Sequence, residues 1–128
     1  MPRPVLEVRG AREFRRTLKA AGADLEDLKR ANAEAGAIVA TRGRGIAPRV
    51  TGRLAASIRP GRAVASAVVR AGGARVPYAA PIHWGWARRN IRPQPFLLEA
   101  ADDTREQWFA RYVAGVQTAL DRVKGIPS

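Results

Sequence analysis

The chain has no cysteine, and between Ala35 and Leu98 it has no aspartate, glutamate or lysine. The first absence excludes disulfides, thiolate nucleophiles and cysteine-ligated zinc. Histidine occurs once, at His83, and the aromatics are three Trp, two Tyr and three Phe. Met1 to Gly10 contains no apolar leader core, and no uncharged run approaches the ~18 apolar residues that a membrane span needs. No H-E-x-x-H helix, phosphate-binding glycine loop or facing carboxylate pair is present. Asp102 and Asp103 are adjacent, so on a helix they point roughly 100° apart. Ser57 and His83 have no evident acid to orient an imidazole, and the expectation for His83 is a hydrogen-bonded side chain in a packed loop. These absences predict no enzyme, no cofactor and no metal site. They read as a soluble protein made in a cytoplasm, with no membrane partner.

What is present is arginine. The acid-free span holds eleven of them, whereas residues 1–34 carry eight basic and six acidic residues and residues 99–128 carry four and five. The formal net charge of +12 is therefore central. Arginines so concentrated repel one another unless something negative lies nearby. Twenty of the 23 basic residues are arginine, and Ala, Gly and Pro are also abundant. That pattern fits a GC-rich coding genome, but codon bias does not remove acids. Arginine adds planar, bidentate pairing to carboxylate or phosphate, which lysine does not match. With 25 alanines and few large side chains, the core is expected to be small and to favour support from neighbouring subunits.

The length suits a single domain, 1–128. Val5 to Arg9 reads as a short strand, so residues 1–10 form an arm or an edge strand. Ala11 to Ala21 reads as a helix with Phe14, Leu18 and Ala21 on one stripe. Asp24 caps a second helix reaching about Thr41, with Leu25, Leu28, Asn32, Ala35 and Val39 three or four apart. Arg42-Gly43-Arg44-Gly45 is a loop signal. Thr51 suits the cap of a short helical turn. Ile58 to Arg62 and Val64 to Ala71 read as a strand pair turning about Pro60–Arg62. Pro77 to Arg92 is a loop or at most a short helix. Pro95 fits the first position of one long C-terminal helix, whose stripe is Leu97, Ala101, Thr104, Trp108, Tyr112, Val116, Leu120 and Val123. Glu99, Asp102 and Asp103 then lie in its early turns, and Arg122 and Lys124 near its end, both favourable to the helix dipole. Gly115 inside that helix costs about 1 kcal/mol against alanine, which points to close packing. Residues 124–128 form a short tail. The fold class is α+β: N-terminal helices, a small antiparallel sheet and a long C-terminal helix.

Three strings stand in order along the chain: Ala47-Pro48-x-x-Thr51-Gly52-x-Leu54-x-x-Ser57-Ile58, then Tyr78-Ala79 leading to Gly85, then Pro95-Phe96-Leu97. In that order and spacing they resemble the tail-completion and head–tail joining (neck) family of long-tailed bacteriophages, over roughly Leu25 to Val123. The resemblance implies a non-enzymatic virion protein that forms a ring, hexameric in that family, at the head-proximal end of the tail or in the neck. Such a ring, assembled in the host cytoplasm, completes the tail and joins it to the head as a terminator or connector. Its partners are other copies of itself and neighbouring neck and tail-tube proteins, in proximity to genomic DNA. Members commonly carry a glutamate two residues before the glycine and a small hydroxyl residue after it; here His83 and Trp86 stand there.

Pro48, Thr51, Gly52, Leu54, Ser57, Tyr78, Ala79, Gly85, Pro95 and Phe96 make physical sense as scaffold. Leu54 and Ile58 anchor a turn, Phe96 pins the last helix, and Tyr78 buries its ring while its hydroxyl meets a polar partner. The candidate interface residues are Arg42, Arg44, Arg49 and Arg53, then His83, Trp84 and Trp86, then Arg88, Arg89 and Arg92. With so few aromatics, core or interface packing is favoured for the two tryptophans. The alternative is a DNA-binding protein that uses the arginine-rich 42–92 span on phosphates, with Tyr78, Trp84 and Trp86 stacking on bases.

Overall fold

In the computed structural model, residues 3–8, 25–48, 52–61 and 67–123 are described. The helix expected over Ala11–Ala21, the cap at Asp24 and the tail at 124–128 lie outside them. The longest element is helix α1, Leu25–Ile46, with Glu26 and Asp27 in its first turn and Arg44 in its last, each sign favourable to the helix dipole. Its predicted stripe is buried at Leu28, Asn32, Ala35 and Val39. The helix runs five residues past its expected end, straight through Gly43 and Gly45. Propensity disfavours that, but tertiary contacts hold it. A Cβ on Gly43 would sit 3.5 Å from Ile58 Cγ2 and 3.6 Å from Leu97 Cδ2, so Gly43 lies against the core. Arg44 Nε also donates to Ile58 O at 2.8 Å.

Strand β1, Val5–Val8, pairs antiparallel with β3, Ala67–Arg70, and β3 pairs antiparallel with β2, Arg59–Pro60. The sheet order is β1-β3-β2, so the N-terminal strand lies at one edge. The register places Val5 opposite Arg70 and Arg59 opposite Arg70 on the other side. β2 is shorter than the predicted strand, and Gly61 N–H extends the ladder by one bond to Val68 O at 2.7 Å.

Helix α2, Arg53–Ser57, begins after Gly52, which occupies the cap position with φ 80° and no side-chain cap bond. Thr51, the expected cap, lies outside the described residues. Helix α3, Ala79–Trp84, and a 3-10 turn, Ala87–Arg89, fill the Pro77–Arg92 stretch.

The C-terminal helix is two helices, α4 (Phe96–Asp103) and α5 (Arg105–Val123), with Pro95 as the cap of α4 rather than its first residue. Thr104 sits between them at φ −111°, its Oγ1–H donating to Ala100 O at 2.7 Å. A threonine hydroxyl bonded to the carbonyl four residues back competes with the helix ladder and bends it. The bend places Asp102 and Asp103 at the C-terminal end of α4, where the dipole is unfavourable to acids, not in the early turns of one helix.

Two apolar clusters hold these elements. The larger joins Val39, Ala40, Leu54, Ile58, Val69, Phe96, Leu97 and Ala100. The smaller pairs Leu28 with Ala119, with Tyr112, Val116 and Leu120 against them. Where α1 crosses α5, a Cβ on Gly115 would collide with Ala31 Cβ, so the glycine sets how closely the helices approach.

Candidate functional site

The motif residues fall where the fold is hardest to change. Leu54, Ile58 and Phe96 are nearly solvent-free, each contributing about 1.5–3 kcal/mol by burial. Ser57 Oγ–H donates to Leu54 O at 2.6 Å and accepts from Gly72 N–H at 2.9 Å. It thereby ties α2 to the end of β3. Ala79 is buried. Gly85 ends α3 at φ 82°, and a Cβ there would lie 2.9 Å from Pro93 Cδ, so both backbone conformation and space require glycine.

Beyond Gly85 the chain folds into a tight hairpin. Trp86 N–H donates to Ile91 O at 2.9 Å, and Ile91 N–H returns to Trp86 O at 3.0 Å. Arg89 and Asn90 N–H close the turn onto Trp86 O and Ala87 O at 3.0 and 3.1 Å. Asn90 takes a left-handed conformation at φ 55°, which asparagine tolerates better than most side chains. Gln94 N–H to Ile82 O, 2.9 Å, pins the returning strand to α3. Arg88 and Arg89 therefore stand at the tip of a braced loop, with the Arg89 guanidinium 5.5 Å from the Trp86 ring centre.

Trp84 and Trp86 are 47% and 39% exposed, so neither packs in the core. The eight aromatics do not all serve the interior, because the sequence places Phe96 and Trp108 where α4 and α5 meet α1. Trp84, Trp86, Ile91, Arg92 and Pro93 line an open depression of about 710 Å³. A second, more apolar groove of about 370 Å³ shares Ile91 and is walled by Pro48, Leu54, Tyr78, Pro81 and Ile82, with Arg53 at its edge. Tyr78 is exposed here; its ring lines this groove instead of being buried as the motif suggested.

The candidate arginines separate into two groups. Arg42 places Nε and Nη2 each 3.0 Å from Asp103 Oδ2, so one of the missing counter-charges comes from the chain's own C-terminal region. Arg44 is half-buried against Ile58 O, and Arg59, from the same acid-free span, donates to Ser57 O and Gly72 O at 2.6 and 2.9 Å. Backbone carbonyls thus absorb part of the positive charge. Arg53, Arg88, Arg89 and Arg92 are exposed, and Arg49 lies outside the described residues.

His83 is not a surface residue. It is 2% exposed, stacked edge-on against Phe96 and Trp84 with ring centres 4.9 and 4.3 Å away. Neither ring nitrogen has a hydrogen-bond partner, contrary to the expected hydrogen-bonded histidine. Burial holds its pKa below the ordinary 6.5, so the ring is neutral near pH 7. It makes no bond to Ser57. Among the described residues, no cluster of three or more His, Asp or Glu side chains could hold a metal. No helix among them is long and apolar enough to cross a membrane.

The sequence reading missed a third feature. Leu98, Phe109 and Val113 are exposed along α4 and α5, Phe109 by 56%. In the sequence it corresponds to the three- and four-residue spacing of Glu99, Asp102, Glu106, Phe109 and Val113, which lies beside the inward stripe. Comparison with family models, with curated proteins and with solved structures finds no match to this chain.

Proposed function

We propose that this chain is a non-enzymatic structural virion protein of a long-tailed bacteriophage. In this reading it forms a ring, hexameric as the motif resemblance implies, at the head-proximal end of the tail or in the neck. It completes the tail and joins it to the filled head, with neighbouring neck and tail-tube proteins as its other partners. The observation that carries the reading is the division of labour around Gly85. The motif residues Leu54, Ser57, Ile58, Ala79, Gly85 and Phe96 build a scaffold, and that scaffold thrusts out a braced loop of exposed Trp and Arg. Tryptophan and arginine are the side chains most enriched at interface hot spots, and a loop held by backbone bonds loses little freedom on docking.

Negative-stain imaging of particles and sizing of the purified chain test this. A six-fold assembly located at the tail–head junction supports it; a monomer absent from particles overturns it.

A second reading is favoured by the exposure of Trp84 and Trp86, which is what base stacking beside phosphate-binding arginines requires. DNA binding measured against salt separates the two. A steep log–log loss of affinity indicates several phosphate contacts, and negligible binding at moderate salt leaves protein partners.

A further inference from the structure

Resting on the ring reading, we infer that the Trp84–Pro93 depression and its arginine tip receive an acidic helix stripe of a second copy of this chain. The stripe runs Glu99, Asp102, Glu106, Phe109 and Val113, spaced three, four, three and four residues apart and exposed throughout. Within each helix such spacing puts successive side chains on one face, Glu99 and Asp102 on α4 and Glu106, Phe109 and Val113 on α5. The two helices stay linked across the bend, Thr104 N–H bonding Ala100 O at 3.2 Å and Trp108 N–H bonding Thr104 O at 3.0 Å. Leu98 lies four residues before Asp102 and is exposed as well. The stripe therefore offers three carboxylates at one end and apolar side chains along and beyond them.

In a chain with 23 basic and 11 acidic residues, three exposed carboxylates in a row are conspicuous. The ion pairs Arg42–Asp103 and Arg111–Glu34 do not engage this row. Asp103, one residue round the helix, is already held by Arg42.

The depression offers the complementary set. Arg92 in its lining, with Arg88 and Arg89 at the hairpin tip, matches three carboxylates, and the exposed parts of Trp84 and Trp86 match Leu98 and Phe109. Neither surface complements itself: three guanidiniums repel three guanidiniums, and three carboxylates likewise. An isologous two-fold dimer through either one is excluded on charge. Used once per copy in each direction, the contact is heterologous and closes into a ring or continues as a filament. A reciprocal two-fold pair buries both surfaces in one dimer and gives no ladder, which overturns the proposal. DNA would satisfy the arginine hairpin but would repel the acidic stripe, so the second copy accounts for both surfaces.

The lack of cysteine makes the contact directly testable. The full chain carrying both Arg89→Cys and Asp102→Cys is concentrated, mildly oxidised and run without reductant. A ladder of multimers is expected, while either single variant stops at dimers. A control pair, Arg89→Cys with Lys29→Cys on the exposed side of α1, should give no ladder. Equal cross-linking by both pairs, or none by the first, overturns the proposal. A charge swap gives the independent arm. Arg88→Glu with Arg89→Glu should weaken self-association in sedimentation by at least about 10-fold, and adding Asp102→Arg with Glu106→Arg should restore it to within about 3-fold. Failure of the swap to restore assembly, with salt-sensitive DNA binding lost on the arginine reversal, assigns the hairpin to DNA and overturns the proposal. If particles show the ring but the 89–102 pair does not cross-link, the ring reading stands and this interface falls. If neither appears, both fall.

Discussion

Trp108 and Trp86 sit in opposite worlds of one small protein. Trp108 packs against the main core, and its indole N–H donates to Ala101 O at 2.9 Å, bridging the bend between α4 and α5. Trp86 stands on a hairpin, its ring 39% exposed and facing the guanidinium of Arg89. The contrast extends to their surroundings. Further along α5 the helices approach on small residues, Gly115 against Ala31 and Ala119 beside Leu28, while Trp84, Trp86, Arg88 and Arg89 are exposed on the hairpin side. Small residues inside secure the fold; large ones outside are left for something else to cover.

The strongest way to break that comparison is to truncate one aromatic from each region. Phe96→Ala should cost about 3–5 kcal/mol in denaturant unfolding. Trp86→Ala should stay within about 1 kcal/mol of the parent, since an exposed cation–π contact contributes little, yet it should abolish assembly. Equal stability losses would mean the hairpin is part of the folding core. Next in size, Gly115→Val at the α1–α5 crossing should destabilise by about 1–3 kcal/mol through overpacking on Ala31, and Ala31→Gly should recover part of that loss in the double variant.

A smaller effect is read by pH. His83 binds its proton less readily folded than unfolded, so the unfolded chain takes up more protons as pH falls below 6.5. Stability from this group is full above 6.5 and declines as pH drops toward the lowered folded value, by at most about 1.4 kcal/mol per pH unit. His83→Leu should flatten that part of the profile; an unchanged slope assigns the acid sensitivity elsewhere. Smallest of all, Arg42→Ala or Asp103→Ala should cost under about 1 kcal/mol, because both partners are about half exposed, 49% and 46%, and solvent screens such pairs.

How much of this was legible depended on the range of the forces involved. The α1 stripe and the inward stripe of α4 and α5 were readable because helical periodicity is local. The end of α1 was misplaced because Gly43 is held in the helix by Ile58 and Leu97, residues far along the chain. The bend at Thr104 was invisible because the apolar spacing continues unbroken across it. Counting aromatics indicated that some must pack inside, but not which; Phe96 and Trp108 took those places, and Trp84 and Trp86 did not. Of the motif residues, Leu54, Ala79 and Phe96 are buried, while Tyr78 is exposed. Motif spacing gave no hint of the backbone bonds from Trp86 to Ile91, nor of the acidic stripe facing away from the core.

The edge position of β1 bears on how the chain is made. Among the described residues, Val5–Val8 pairs with Ala67–Arg70, some sixty residues later. At synthesis rates of roughly 5–20 residues per second, the first strand waits on the order of several seconds without a pairing edge. The sheet cannot nucleate from the N-terminus; it closes late, once α1 and β3 exist to receive the strand. Such non-local closure slows folding, and it leaves the Val5–Val8 segment as the part of the nascent chain most in need of shielding.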